Sequence, residues 1–257
     1  VKNFFVLLTF LVVFVRQSFA QISPPGEGKA RTADWFALGI RQKLDTTEGR
    51  GWQSMSYIGL GRKSNPDNYN PFFKHEIFVM NQEFYHQLPN AWQYSFALSY
   101  RRQDEYSDRP PYEHEYPGLI QEFRLYGRLS YTFYHSRFKL TPTFRQEVRN
   151  FYTVNFENTD EIVQMRSRVR LQLTAGLDRD NIHRLMASSE QLFAVSKEQA
   201  PAHWTAFNYR ESRFSLYYSY SPKTITFSVG YMNNLVGAKK PYDVHYIALD
   251  IVIENPF

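Results

Sequence analysis

The chain has 257 residues, no cysteine, and 30 basic against 25 acidic side chains, with 22 Phe, 19 Tyr and 4 Trp. The missing thiols exclude disulfides, thiolate metal sites, cysteine nucleophiles and a lipid-anchored N-terminal cysteine. The formal charge of +5 falls to +3 without Lys2 and Arg16 (28 basic against 25 acidic), which is too mild to imply nucleic acid, and the aromatic content argues against disorder.

Lys2 precedes an apolar run from Phe4 to Val15, broken only by Thr9, and then come Arg16, Ser18 and Ala20. A basic start, an apolar core too short to span a bilayer and small residues before the break predict a signal peptide over 1–20, cut after Ala20. Residues 21–32, with Pro24, Pro25, Gly26 and Gly28, are expected to form a flexible lead-in, and 33–257 the folded domain.

From there the hydrophobic period is two rather than 3.6. Trp92, Tyr94, Phe96, Leu98 and Tyr100 alternate with Gln93, Ser95, Ala97 and Ser99. Phe123, Leu125, Leu129, Tyr131 and Phe133 alternate with Glu122, Arg124, Tyr126, Arg128, Ser130 and Thr132. Phe138, Leu140, Phe144 and Val148 stand against Lys139, Thr141, Thr143, Arg145, Glu147 and Arg149. Val163, Met165, Val169, Leu171 and Leu173 stand against Gln164, Arg166, Arg168, Arg170, Gln172 and Thr174. The pattern returns with Phe214, Leu216, Tyr218 and Tyr220, and again with Ile225, Phe227, Val229 and Tyr231.

Such strands exceed the roughly 5–6 residues usual in a soluble sandwich, carry large charges on the polar face and place aromatic residues near the ends of the apolar one. The chain closes on Leu249, Ile251, Ile253 and a terminal Phe257, resembling a C-terminal insertion signal for outer-membrane barrels, although Asn255 and Pro256 depart from the usual form. The expected fold is therefore all-β: an antiparallel up-and-down transmembrane β-barrel of 10–12 strands in the bacterial outer membrane. Outer-membrane lipid surrounds such a barrel, and the insertion machinery handles it during assembly.

Eleven candidate strands begin near Trp35, Trp52, His75, Trp92, Leu119, Phe138, Val163, Ile182, Phe207, Thr224 and Val244. Bacterial single-chain barrels have even counts. Either the Trp35 segment lies outside the wall, giving ten, or a further N-terminal strand gives twelve, and twelve is preferred. Short turns near 88–90, 136, 178–181 and 221–223 alternate with longer segments at 102–118, 154–161, 196–206 and 233–241.

Several of these segments carry a family resemblance. Phe123-Arg-Leu-Tyr-Gly-Arg-Leu, Thr141-Pro-Thr-Phe-Arg-Gln-Glu-Val-Arg, Arg166-Ser-Arg-Val-Arg-Leu and Glu211-Ser-Arg-Phe resemble a family of uncharacterised bacterial outer-membrane barrels, a domain of unknown function. The resemblance runs over roughly residues 75–233 and is weaker in the first two strands. It implies a barrel of Gram-negative type and carries over no catalytic residue.

If the apolar faces meet lipid, the alternate residues line the interior. Arg124, Arg128, Arg145, Arg149, Arg166, Arg168, Arg170, Arg184 and Arg213 then face inward with Glu122, Glu147, Glu190 and Glu211. Arginine cannot shed its charge, so each guanidinium must be paired or hydrated. A structural reading fills the barrel with arginine–glutamate ladders. A functional reading makes a narrow passive pore for small anionic solutes, with Arg166, Arg168 and Arg170 as its selectivity ladder. A third reading, a membrane-embedded hydrolase, lacks a recognisable motif. The seven histidines sit in no nucleophile elbow and no His-Glu-x-x-His, and no cofactor site or nucleic-acid stripe is present. Segment 102–118 carries Asp104, Glu105, Asp108, Glu113 and Glu115, which suit either a surface cation, a partner surface or simple solvation. Asp178 and Asp180 fall in a tight turn, where aspartate serves the backbone.

Overall fold

The computed structural model describes residues 22, 24–26, 28–45, 51–199 and 201–257, so the expected signal peptide lies outside the described residues. Thirteen β-segments follow in chain order: β1 (Thr32–Lys43), β2 (Trp52–Lys63), β3 (Lys74–Gln87), β4 (Trp92–Tyr106), β5 (His114–Tyr131), β6 (Phe133–His135), β7 (Phe138–Tyr152), β8 (Asn158–Gly176), β9 (His183–Gln199), β10 (Ala202–Trp204), β11 (Asn208–Tyr220), β12 (Ile225–Val236) and β13 (Tyr242–Glu254). The three-residue β6 prolongs β5 along β7, and β10 runs ahead of β11 along β9. Eleven long strands therefore form the closed wall.

All neighbours pair antiparallel except the closing pair, in which β1 and β13 run parallel from Thr32–His245 to Arg41–Glu254. This corrects the expectation of an even count. The Trp35 segment is a wall strand, and no additional strand appears among the described residues. In an up-and-down barrel an odd number of strands leaves the first and last running the same way. A parallel ladder satisfies their backbone groups just as closure requires.

The strands are long because they were written with one apolar and one polar face over 12 to 19 residues. Phe36 and Leu38, Ile58 and Leu60, Phe96 and Leu98, Leu125, Phe144, Val169 and Leu171, Leu216, Val229 and Leu249 all point outward and are exposed, giving an apolar belt right round the wall. Aromatic groups cluster at its ends, as with Trp52, His86 and Tyr94, or Tyr131 beside Trp92 and Phe133.

The two rims differ. One carries the tight turns, with positive φ at Asn90, Ala91, Ser136, Asn181 and Lys223, together with the connection 44–51 between β1 and β2. The other carries the longer connections and the register shifts, at Gly61/Arg62, Asp104/Tyr106, Asn150/Tyr152, Glu161/Val163 and Tyr209/Glu211. Bulges gather at barrel rims because they bend a strand and re-aim a side chain. Here the shift in β3 leaves Glu76 unpaired in the ladder and fully buried, 2.7 Å from Lys63. Strands also consume much of what alternation leaves as loop. β4 and β5 extend so far that segment 102–118 keeps only 107–113 as a connection, and residues 64–73 between β2 and β3 are longer.

Candidate functional site

The interior has two unlike halves. On β1, β2, β3 and β13 the inward residues are largely apolar, and Trp35, Met55, Ile77, Val79, Tyr85, Ala248 and Val252 form a buried cluster with Met186 and Tyr217. Glycines make room for the largest of these. A Cβ on Gly59 would lie 2.3 Å from the Trp35 ring, and one on Gly230 would lie 2.3 Å from the Tyr217 ring. Alternation alone did not reveal this half, because β3 places Phe78, Met80 and Phe84 outward while Ile77, Val79 and Tyr85 point inward.

The opposite half is ionic. Glu122 receives Arg149 through Nε at 2.7 Å and Nη2 at 2.5 Å, and Arg124 at 2.7 Å. Glu147, fully buried, lies 2.6 Å from both Arg145 Nε and Arg168 Nε and 3.7 Å from Arg124. Arg168 reaches on to Glu190 at 3.1 Å, Glu190 to Arg213 at 3.9 Å, and Arg213 to Glu211 at 2.6 Å. Glu211 takes Arg166 at 3.8 Å and the Asn234 amide at 2.9 Å. Arg128 leans on Glu83 at 3.3 Å, and Arg101 touches Glu122 at 4.0 Å. Eight arginines thus share five carboxylates on strands β3 to β11. The register produces this directly, since Arg124 faces Arg149, Arg128 faces Arg145 and Arg145 faces Arg168 across neighbouring strands. Like charges opposite one another are destabilising unless anions lie between them, which is where the glutamates sit.

A cavity of about 110 Å³ runs between the two halves. Arg124, Arg128, Arg145, Arg168, Arg170, Arg213 and Glu190 line it, as does Arg101, together with Tyr57, Tyr85, Trp35 and Met55. Arg149, Arg166, Glu122, Glu147 and Glu211 do not touch it and stand in the ion pairs instead. Of the three arginines of β8, Arg168 is doubly paired, Arg166 leans on Gln164 and Glu211, and Arg170 hydrogen-bonds Gln172. Arg184 lies near the tight-turn rim and donates to Ser221.

The lead-in enters this cavity. Arg31 and Thr32 backbone amides donate to Ser64 Oγ at 3.1 and 3.0 Å, fixing where the chain turns inward. Gly28 has φ +74°, and a Cβ added there would lie 3.5 Å from Lys63 Nζ. The Gly26 carbonyl accepts from Arg101 at 2.6 Å and the Pro24 carbonyl from Arg213 at 3.1 Å. Ile22 ends among Trp35, Met55 and Val79, with 5% of its surface exposed. Sequence composition, rich in Pro and Gly, describes a segment without regular structure and says nothing of where it lies.

Several interior charges escaped the alternation argument: Arg41, Lys63, Glu76, Glu83, Arg101, Asp250 and Glu254, all buried. Extending the 92–100 pattern by one residue places Arg101 inward, and the even positions beside Leu249 and Ile251 place Asp250 and Glu254 there. Arg41 pairs with Glu254 at 2.8 Å across the parallel seam, a partnership visible only once the barrel closes. The last residues clip onto β1, with Asn255 Oδ1 accepting from the Lys43 amide at 2.8 Å and Gln42 bonding the Phe257 backbone.

The carboxylates of segment 102–118 disperse. Asp104 bonds His75 at 2.8 Å, Asp108 pairs with Lys29 at 2.5 Å, and among the described residues no group of acidic or imidazole side chains is placed to hold a metal ion. Asp178 behaves as its turn predicts: it accepts the His183 and Ile182 amides at 2.8 and 3.2 Å, which hold its carboxyl below the usual range. His183 and His245 bond the Tyr218 and Tyr231 hydroxyls, and no histidine hydrogen-bonds a serine hydroxyl among the described residues.

No curated protein matches the chain. A family model described as Protein of unknown function (DUF2490) matches residues 35–244. The match takes in the first two wall strands, beyond the stretch in which the motifs of β5, β7, β8 and β11 are found. The chain belongs to this DUF2490 family.

Proposed function

We propose that the protein is an exported outer-membrane barrel whose lumen admits small anions. The signal pattern over 1–20 supports export, with cleavage after Ala20. An unbroken belt of exposed Leu, Phe and Val would be an aggregation hazard in water and is what a hydrocarbon environment requires. The tight-turn rim would face the periplasm and the longer connections the outside. Outer-membrane lipid and the barrel-insertion machinery are the partners this placement entails.

The observation that carries the anion reading is the arithmetic of the lumen wall. Eight arginines share five carboxylates, and six of the expected pore-lining arginines border the cavity. A cation entering there meets an uncompensated positive field, whereas an anion is attracted. The lead-in favours a second reading, a non-conducting barrel that acts through its external connections, because Ile22, Pro24 and Pro25 border the same space.

Planar-bilayer conductance under a salt gradient separates the two. The full chain is expected to give small anion-selective steps, and a chain lacking residues 21–30 larger ones. Replacing Arg166, Arg168 and Arg170 with glutamine should move the reversal potential toward cations. Silence from both chains, each shown folded by its faster migration before boiling, overturns the channel and leaves the second reading. Release from membranes by carbonate would overturn the membrane placement itself.

A further inference from the structure

The ionic half of the lumen is not uniform. Most of its guanidiniums spend their terminal nitrogens on carboxylates, but Arg145 does not. Its Nε faces Glu147, its plane stacks on Tyr126 at 3.6 Å from the ring centre, and its two terminal nitrogens have no partner among the described residues. Arg128 stands directly opposite on β5, held through Nε by Glu83, with one terminal nitrogen 3.4 Å from the Tyr126 hydroxyl. Both side chains border the cavity. Glu147 cannot neutralise the pair, since Arg168 and Arg124 share it. Across the cavity the Tyr57 hydroxyl lies within the field of Arg145 and Arg128, and Thr143 adds a hydroxyl on the arginine side.

We infer that Arg128, Arg145 and Tyr57 form a binding site for a small tetrahedral oxyanion of the size of inorganic phosphate. The inference rests on the anion reading above and names its substrate class. Two guanidiniums fixed side by side offer several donors in a geometry that suits phosphate oxygens, and a hydroxyl opposite can donate or accept as the protonation state of the anion demands. Size narrows the class. A volume of about 110 Å³ is somewhat smaller than the roughly 150 Å³ cavity that accommodates a benzene ring, enough for one five-atom oxyanion but not for a sugar phosphate. The bound anion would supply the charge that Glu147 cannot.

The test is calorimetric titration of the full chain, refolded in detergent, with inorganic phosphate at constant ionic strength made up with chloride. Saturable binding of one phosphate per chain is expected, with no binding of glucose 6-phosphate. Arg145→Gln and Arg128→Gln should each weaken it by about tenfold to a hundredfold, the loss of one charge-assisted hydrogen bond. Tyr57→Phe leaves the ion pairs intact and should weaken it by a few-fold, so the site stays testable if an arginine variant does not fold. Lys239→Gln, on an exposed connection, should change nothing. Absence of binding by the folded wild type, or equal binding by Arg145→Gln and Tyr57→Phe, overturns the site. Equal affinity for glucose 6-phosphate overturns the size assignment. Because binding is read without a membrane, a barrel that binds phosphate yet never conducts refutes the channel alone, and one that conducts without binding refutes the site alone.

Discussion

Glu147 is the residue on which the interior charge balance turns, and its replacement by glutamine gives the sharpest test of the ionic network. The carboxylate is fully buried, with Oε1 2.6 Å from Arg145 Nε and from Arg168 Nε, and Oε2 3.3 Å from Arg168 Nη2. Glutamine keeps the volume but removes the only carboxylate among the described residues that Arg145 touches, and leaves Arg168 with Glu190 and Arg124 with Glu122. Removing one partner of a buried ion pair costs about 3–5 kcal/mol, because the other charge stays behind uncompensated. Arg145 and Arg168 border a cavity large enough for water, so the lower end, about 3 kcal/mol, is expected. Urea unfolding of the refolded barrel in lipid vesicles, followed by tryptophan fluorescence, measures it, with exposed Glu157→Gln as the control expected within about 0.5 kcal/mol of wild type. The deficit should shrink in high salt, as anions take the place of the lost carboxylate. A loss below about 1 kcal/mol, or one indifferent to salt, would refute the view that this carboxylate holds three guanidiniums together.

Three further expectations follow from other parts of the barrel. Gly59→Ala drives a methyl into the Trp35 ring and should cost about 1–3 kcal/mol in the same unfolding assay, with Trp35→Leu in the same chain recovering part of that loss. Arg41→Gln leaves Glu254 buried without its cation at the parallel seam, and should destabilise by more than the paired change Arg41→Gln with Glu254→Gln; equal effects would show that the seam does not depend on the pair. Asp178, lowered by its two backbone amide donors, contributes stability above its ordinary value of 3.8 that is lost as pH falls through its lower folded value. The unfolding midpoints of wild type and Asp178→Ala should therefore differ at neutral pH and converge in the acid range below 3.8; a difference constant with pH would exclude the carboxylate as its cause.

Local pattern carried most of the wall. Alternation placed Arg124, Arg128, Arg145, Arg149, Arg166, Arg168, Arg170 and Arg213 on the inner face because strand side chains change face at every residue, whatever the neighbour. The same rule, with turn chemistry at Asn90, Ser136 and Asn181, located all eleven long strands, whose starting points fall within a few residues of those observed apart from the rim extensions of β5 and β8. Failure came where the information is not local. Strand parity depends on how the last strand meets the first, and nothing in either strand records that they run parallel. The apolar half of the interior hid because β3 is apolar on both faces, so that period two loses its contrast there.

By itself, then, the sequence determined a series of long two-faced strands, their order and the inner row of arginines, since these depend on spacing along the chain. Only the tertiary structure decided which carboxylate each arginine meets, because register and closure bring Glu147 to Arg168 and Glu254 to Arg41. It alone decided that Ile22 and Pro24 lie in the lumen, because a segment without period is held there by donors from distant strands, Arg101 and Arg213. And it alone brought Arg145 to the wall of a cavity with its Nε on Glu147, a consequence of eight guanidiniums converging on five carboxylates that no single strand contains.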